Sequence, residues 1–483
     1  MKILLHYFVH VLVVLACSKA LAQRIDISPE RNDSHRAVAM GNWGILHHHI
    51  SGSTARFIRY DTAMKVVWQA ETKIEGQHRY KGQEIDAGKV YILMSKYNDP
   101  VFTLVAIDLV SGEIQNTRFN LFKKLQVMQF RILNDRIFIG CYIEGIPTSL
   151  LVDMTQNFRS QNLVSNLSMK ARFCSIEKDT TFDIVNVSLL EEKAGVYYLL
   201  TKTYTIMGQE LLSFKIDINE QTKYPLTGSV LYTQNYDALV TGTYSSQPDG
   251  FAEGVYLAKF SGEKKEYLRF FSFGDMPNFN EYEAEHRRLK SEAKKQKKIG
   301  SGKEFKLQYM LLTHKPMLVE GKLIFVAEAY NPVFQTDGAE VLVGTVRHPS
   351  QGAELDQYQF THFMVLGFDS QKGEFLWDRT FSLFKTTVNI LNYSVNCKLK
   401  ENGVYVSYFT REGLKSHFVS LQGEKSEKFS SLPKNGKLIK NHFTNIQDWY
   451  SDYLMIWGYQ TFLAQNKKTQ RSFYFYKLRL KAE

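Results

Sequence analysis

The sequence predicts an all-β chain folded as a single β-propeller of about eight four-stranded blades, with seven blades as the alternative and two smaller domains as a third arrangement. Three observations predict it. A short unit recurs after residue 40: Gly or Asn, a run of β-formers, a gap, a second run, then a turn. The first strand of each pair begins near Gly44, Gly88, Arg136, Gly195, Ala238, Gly321, Gly403 and Tyr453, and most intervals fall near the roughly 40 to 50 residues that a blade needs. The aromatics, 27 Tyr and 33 Phe, suit sheets. With only 10 Pro and no Pro/Ser/Gly-rich linker, one continuous domain over residues 23–483 is the simplest organisation.

The elements follow in order. Lys2, the apolar stretch Leu4 to Ala16 and Ala20-Leu21-Ala22 read as a signal peptide over residues 1–22, cut after Ala22. A rival reading takes Val14-Leu15-Ala16-Cys17 as a lipobox with Cys17 lipidated. Both place the mature chain outside the cytoplasm, in the periplasm or at the cell surface. The apolar run is shorter than the roughly 20 residues that cross a bilayer. Well-formed units then follow, such as Gly88 to Leu93 with Phe102 to Ile107, and Gly321 to Val326 with Phe363 to Phe368. Two intervals are nearly double, and each holds an extra segment: a basic helical insertion at 279–303 and a long loop insertion at 331–361. The last pair, Tyr453 to Tyr459 and Ser472 to Leu478, leaves no room for an outer strand before Glu483. Residues 23–40, with Arg24-Ile25-Asp26-Ile27-Ser28, are expected to supply it.

The second strand of a pair often ends in an acidic turn: Asp61, Asp108, Asp153, Asp217 and Asp369. Such an Asp caps the turn by accepting backbone N–H bonds, and a following Gly permits positive φ. An outer strand comes next, as in Val66-Val67-Trp68 or Glu374-Phe375-Leu376-Trp377. The stretch Leu366 to Trp377 resembles the repeat of pyrroloquinoline-quinone-type propellers, in which Asp369, Gly373 and Trp377 stand at the repeat's defining positions. Asp108 and Gly112 keep the first half of that pattern, with Asn116 in place of Trp; Asp61 and Trp68 keep its ends. The resemblance implies an interblade, structural role for the Trp and says little of activity, since propellers host many functions. The adjacent Cys-Cys and the calcium-ligand set of quinone-dependent dehydrogenases are missing, and no cofactor is indicated.

Composition narrows the chemistry. Cys141, Cys174 and Cys397 lie beyond the signal segment, and their spacings match no zinc or haem motif. They read as buried strand thiols, or as one disulfide and a free thiol. Lys2 and Lys19 leave with the signal segment, lowering the formal charge of +11 by two. Eight Lys/Arg against four Glu fall between Glu281 and Lys303. Acidic residues come first and basic ones last, the order that suits a helix dipole. The few apolar residues, Tyr282, Leu289 and Ile299, make no core-facing stripe. A solvated projecting helix is expected, either presenting Arg287, Arg288, Lys290, Lys294, Lys295, Lys297 and Lys298 to an acidic envelope protein or an anionic membrane surface, or standing as a merely solvated, partly disordered insertion. Nucleic acid is excluded as a partner by the predicted export and by the lack of interleaved aromatics.

His47 and His49 share one strand face while His48 points to the other. They are candidate metal ligands, with Asp61 as the nearest third. Tyr330, Phe334, His348 and Tyr358 place aromatic and polar groups on the 331–361 insertion. Four sequons begin at Asn32, Asn166, Asn186 and Asn392. No Gly-x-Ser-x-Gly elbow, His-Glu-x-x-His or phosphate-cradling Gly loop is present, and Glu191-Glu192 are expected in a turn. The function expected is therefore a non-enzymatic extracytoplasmic scaffold that binds a protein partner, as a subunit of an outer-membrane assembly or export complex. The alternative is a degenerate quinoprotein-like or carbohydrate-active enzyme, or a small-ligand binder, with its site at the mouth of the central channel.

Overall fold

The computed structural model describes residues 24–480 apart from short internal stretches, the longest being 343–353 and 431–436. The signal segment, Cys17, and the sequon residues Asn32 and Asn166 lie outside the described residues. The described chain forms eight antiparallel sheets, the blades of an all-β propeller, with one α-helix. They fall into two compact units, residues 1–74 with 431–483 and residues 75–430.

The first unit holds two sheets. One runs Ser34–Ala39, Ile45–Ser51, Thr54–Tyr60, Val66–Lys73 in sequence order. The other runs Lys437–Asp448, Tyr453–Leu463, Thr469–Arg479, and takes Arg24–Ile27 as its fourth strand. The closing strand expected from residues 23–40 is thus present, paired from Arg24↔Tyr476 to Ile27↔Phe473. The same segment also supplies Ser34–Ala39 to the other sheet. Ala37, Ile45, Tyr60, Met455, Trp457, Phe473 and Phe475 pack into one core cluster. Gly44 enters this core at φ 95°, and a Cβ there would lie 1.9 Å from the Tyr60 carbonyl oxygen. Only glycine fits such a position.

The second unit holds six sheets. Their inner strands are Arg79–Asp86, Leu125–Leu133, Arg172–Asp179, the pair Tyr224–Pro225 and Ser229–Tyr232, the pair Met310–Thr313 and Met317–Val319, and Val395–Lys400. Middle strands are buried on both faces, so they read as unbroken apolar runs: Val90 to Met94 is buried throughout. Outer strands such as Val66–Lys73 in the first unit alternate instead, as a half-solvated strand must. Asp61, Asp108, Asp153 and Asp369 each accept backbone N–H bonds of 2.8 to 2.9 Å from their turns.

Two sequence expectations change. Gly195 precedes the third strand of its sheet, Val196–Thr205, because Ile184–Lys193 is the second strand. Polar Asn186 and Ser188 interrupt that strand's apolar run, yet both are buried and bonded across to Thr203 and Thr201 at 2.7 and 3.1 Å. Glu191-Glu192 accordingly lie in a strand, and the Asn186 sequon is buried in it. The described ends of the 331–361 insertion are strand and not loop: they lengthen Lys322–Thr336 and Glu354–Asp369 into a ribbon paired from Tyr330↔Phe360 to Gln335↔Glu354. Bulges on either side of Pro332 let the ladder pass a residue that cannot donate. His348 lies outside the described residues.

Candidate functional site

The basic insertion is rooted before it projects. Asp378, fully buried, accepts bonds from the Asn278 backbone N–H at 2.9 Å and from its amide Nδ2 at 3.3 Å. Burial pushes the Asp378 carboxyl up, against the Asn278 bonds that pull it down. Thr380 Oγ1 donates to the Asn278 carbonyl at 3.1 Å. Phe279 stacks on Phe273 at 4.7 Å, and Tyr282 lies flat on buried His362 at 3.9 Å. The chain then leaves the core as the α-helix Glu285–Gly300, none of whose residues is buried. Glu285 sits in its first turn and Lys297 and Lys298 in its last, matching the dipole. Arg287, Arg288, Lys290, Lys294 and Lys297 are exposed; Lys295 and Lys298 are half-buried, the latter 5.9 Å from the Phe305 ring centre. Beside the root, Glu281, Tyr282, Phe381, His417, Lys425 and Glu427 help line a cavity of about 330 Å³. Its charges are paired, Lys425 with Glu281 at 2.9 Å and Lys415 with Glu427 at 2.8 Å.

In the first unit, the strand register sets His35 opposite His49 and Ala37 opposite His47. His35 and His49 stack with centres 4.4 Å apart, and the Nε2 atoms flank one Asp33 carboxylate oxygen at 3.8 and 3.0 Å. One donor atom from each of Asp33, His35 and His49 lies within 4.8 Å of the others. His47 joins only through His35, ring nitrogen to ring nitrogen at 3.0 Å. Asp61 is occupied in its turn, accepting from Ala63 and Lys65. His48 points the other way, toward Phe57. Desolvation by burial, helped by the neighbouring rings, lowers His35 to about 4 and His47 to about 2; burial together with Arg36 lowers His48 to about 3. Sequence reasoning missed Asp33 and His35. Their Asp-x-His spacing places both on one face of the adjoining strand, and that pattern was the available signal.

A third convergence lies on the inner strands of the second unit. Glu84 pairs with Arg131 at 3.1 Å and with Lys178 at 3.0 Å, and Glu177 takes a bond from Ser229 and faces Lys315 at 3.6 Å. Next to Lys315, His314 Nε2 meets Glu328 Oε1 at 2.7 Å, and its Nδ1 faces Cys397 Sγ at 3.7 Å. Glu328 has no exposed surface and accepts from the Ser394 and Val395 amides at 2.9 and 3.1 Å. Burial opposes charge on His314, but Cys397 and Glu328 outweigh it and raise the ring to about 10. None of these residues stood out in the sequence, because blade packing alone assembles them.

Trp377 is buried and donates from Nε1 to the Leu421 carbonyl of the next sheet at 2.9 Å. Gly373 takes φ 67°, with the Tyr267 ring 2.7 Å from where a Cβ would stand. Gly112 also takes positive φ, and Trp68 is half-buried on its outer strand. No family model matches the chain, and no curated protein matches it in sequence. Among solved structures it is similar to Saccharomyces cerevisiae Sqt1, at 9% identity and TM-score 0.44 over 93% of this chain and 99% of that one. The β-propeller domain of the Trilobed protease from Pyrococcus furiosus matches at 8% identity and TM-score 0.38, covering 84% of this chain and 96% of that one. An oligogalacturonate lyase in complex with manganese matches at 8% and 0.40, covering 95% and 98%. Likeness at this level says nothing about function.

Proposed function

We propose that the protein is a non-enzymatic, extracytoplasmic propeller that docks an acidic partner in the cell envelope through the helix Glu285–Gly300, as a scaffold subunit of an outer-membrane assembly or export complex. One observation carries the reading: a cationic helix with no buried side chain is held out from the sheets by a root at Asn278, Phe279 and Tyr282, which rest on buried Asp378, Phe273 and His362. A helix that is polar all round gains little from its own domain, and a fixed root spares a docking partner the entropy of ordering it. An acidic protein surface suits it better than a bilayer. Helices that lie in lipid need an apolar face, and only Leu289 and Ile299 are exposed apolar residues on this one.

The test is charge removal without truncation. Gln at Arg287, Arg288, Lys290, Lys294, Lys295, Lys297 and Lys298 should leave thermal unfolding unchanged and abolish recovery of one crosslinked envelope protein identified by mass spectrometry. Wild-type recovery should fall as salt rises. Equal recovery from both proteins would overturn the reading, and loss of binding to phosphatidylglycerol vesicles instead would transfer it to the membrane.

The convergence of Asp33, His35 and His49 favours a second reading, a divalent transition-metal site of two imidazoles and a carboxylate. The rings are parallel within 8°, and His49 is the more exposed of the two. His47 fixes the far nitrogen of His35 as an outer-shell partner. Titration calorimetry with zinc should give one site that is lost in both His35→Ala and His49→Ala and weakened in His47→Ala. Heats indistinguishable from those of His49→Ala would dispose of it.

A further inference from the structure

We propose that Cys397 is a nucleophilic thiol, set against the His314–Glu328 pair, that forms a mixed disulfide with small-molecule disulfides. The three groups have the order of an activated nucleophile: sulfur facing one ring nitrogen at 3.7 Å, and a carboxylate orienting the other at 2.7 Å. The orienting group is itself fixed. Glu328 is held by the Ser394 and Val395 amides and is fully buried, so it cannot swing away. Tyr393 lies over the His314 ring at 4.2 Å, and its hydroxyl donates to the Thr313 carbonyl at 2.9 Å. The imidazole therefore has one stable orientation.

The other cysteines mark the contrast. Burial pushes Cys141 and Cys174 up to about 12, and each acts as a packing group. Cys174 and Cys397 are both half-buried, and what sets Cys397 apart is the His314 imidazole facing its sulfur. The charged and titratable groups around the pair are Lys315 beside His314, Glu328 behind it, Lys398 on the strand of Cys397, Tyr393, and Glu177 and Arg131 on neighbouring inner strands. The three described cysteines are free, and Cys141 and Cys174 stand on other sheets. No resolving thiol is at hand among the described residues, so the mixed disulfide is the end state. In the step, with the proton of the pair on Nδ1, Sγ attacks one sulfur of R–S–S–R. The S–S bond of the reagent breaks, a Cys397–S–S–R bond forms, and the imidazolium returns the proton to the departing RS⁻. The disulfide reagent is the only oxidant required.

The full-length protein is incubated with a chromogenic aryl disulfide and with glutathione disulfide, and adducts are mapped by mass spectrometry. Wild type should give one adduct, on Cys397, absent from Cys397→Ser. At pH 6 its rate should exceed that of a free small-molecule thiol about tenfold. His314→Gln should react about tenfold more slowly at pH 6 and recover the ordinary profile, with Glu328→Gln between the two. The wild-type profile decides the matter should Glu328→Gln fail to fold. A wild-type profile matching that of a free thiol, an unchanged rate in His314→Gln, or first modification at Cys141 or Cys174 would each overturn the proposal.

Discussion

Trp377 and Asp378 are neighbours in sequence and point to opposite tasks. The indole spans the sixth and seventh sheets in chain order, flanked by Gly367 and Gly423, where any Cβ would come within 2.6 Å of it. Trp377→Ala should cost about 3–5 kcal/mol in chemical denaturation. Trp377→Phe, which keeps most of the ring but loses the bond to Leu421, should cost about 1–2 kcal/mol. Trp68, half-buried on an outer strand, should lose only about 1 kcal/mol on the same change to Ala. Equal losses at Trp377 and Trp68 would show that the repeat position, and not the packing, sets the effect. Asp378, by contrast, belongs to the insertion. Its charge is buried to seat Asn278, a residue 100 positions earlier, which no local pattern could announce.

At the scale of elements, the first sheet carries three rings that burial keeps neutral. His35, His47 and His48 titrate in the folded chain at about 4, 2 and 3, against about 6.5 unfolded. Between those values the unfolded chain binds more protons, so stability is full above pH 6.5 and falls as the pH drops toward 4. Thermal unfolding measured from pH 7 to pH 4 should show a loss of about 1–3 kcal/mol per ring, reduced in His48→Phe. A flat profile would mean the rings are hydrated. The helix gives a second element-scale prediction. Replacing Glu285–Gly300 by a short Gly/Ser link should shift stability by no more than about 0.5 kcal/mol, since its side chains leave the core untouched. Tyr282→Ala, which strips the ring from His362, should cost about 2–4 kcal/mol in the same denaturation experiment. A comparable loss from the helix replacement would show that the arm supports the sheets.

Those elements also show what the sequence makes legible. Turn residues and β-former runs recur because each blade solves the same local problem, so the blade count, the acidic turns, the closing strand and the exposed helix could all be read in order. Ile184–Lys193 was hidden because Asn186 and Ser188 are satisfied inside the core by Thr203 and Thr201 of the next strand, bonds that only the fold reveals. The ribbon at 331–361 was masked by turn-type residues, Asn331-Pro332, that bulges absorb. Half of the histidine cluster was visible because His47 and His49 stand two apart in the chain, while His35 comes from the strand that pairs with theirs and Asp33 from just before it. Cys397 and His314 stand 83 residues apart, and nothing short of the packed inner strands joins them.

At the scale of the whole molecule, the two ends of the chain meet in one sheet. Arg24–Ile27 pairs with Thr469–Arg479, Asp26 accepts from Ser472 at 3.0 Å, and Arg24 lies 4.5 Å over the Tyr474 ring. Ile25 and Ile27 pack against the core of Trp457, Phe473 and Phe475. Contacts separated by 446 residues carry a closure cost that grows only logarithmically with length, but they form slowly, because little rewards them until the intervening sheets exist. The closing strand should therefore dock last. Deleting residues 24–27 should leave the early refolding phases intact and remove the final one. It should also lower stability by about 2–4 kcal/mol through lost apolar burial and ladder bonds. Pulsed hydrogen exchange locates the effect: protection should vanish first along 473–476, whose outward amides lose their partners, and aggregation should rise as that edge is bared. If the truncated chain refolds with every phase of the parent and keeps its edge protected, the sheet is complete without its N-terminal strand and the closure is ornamental.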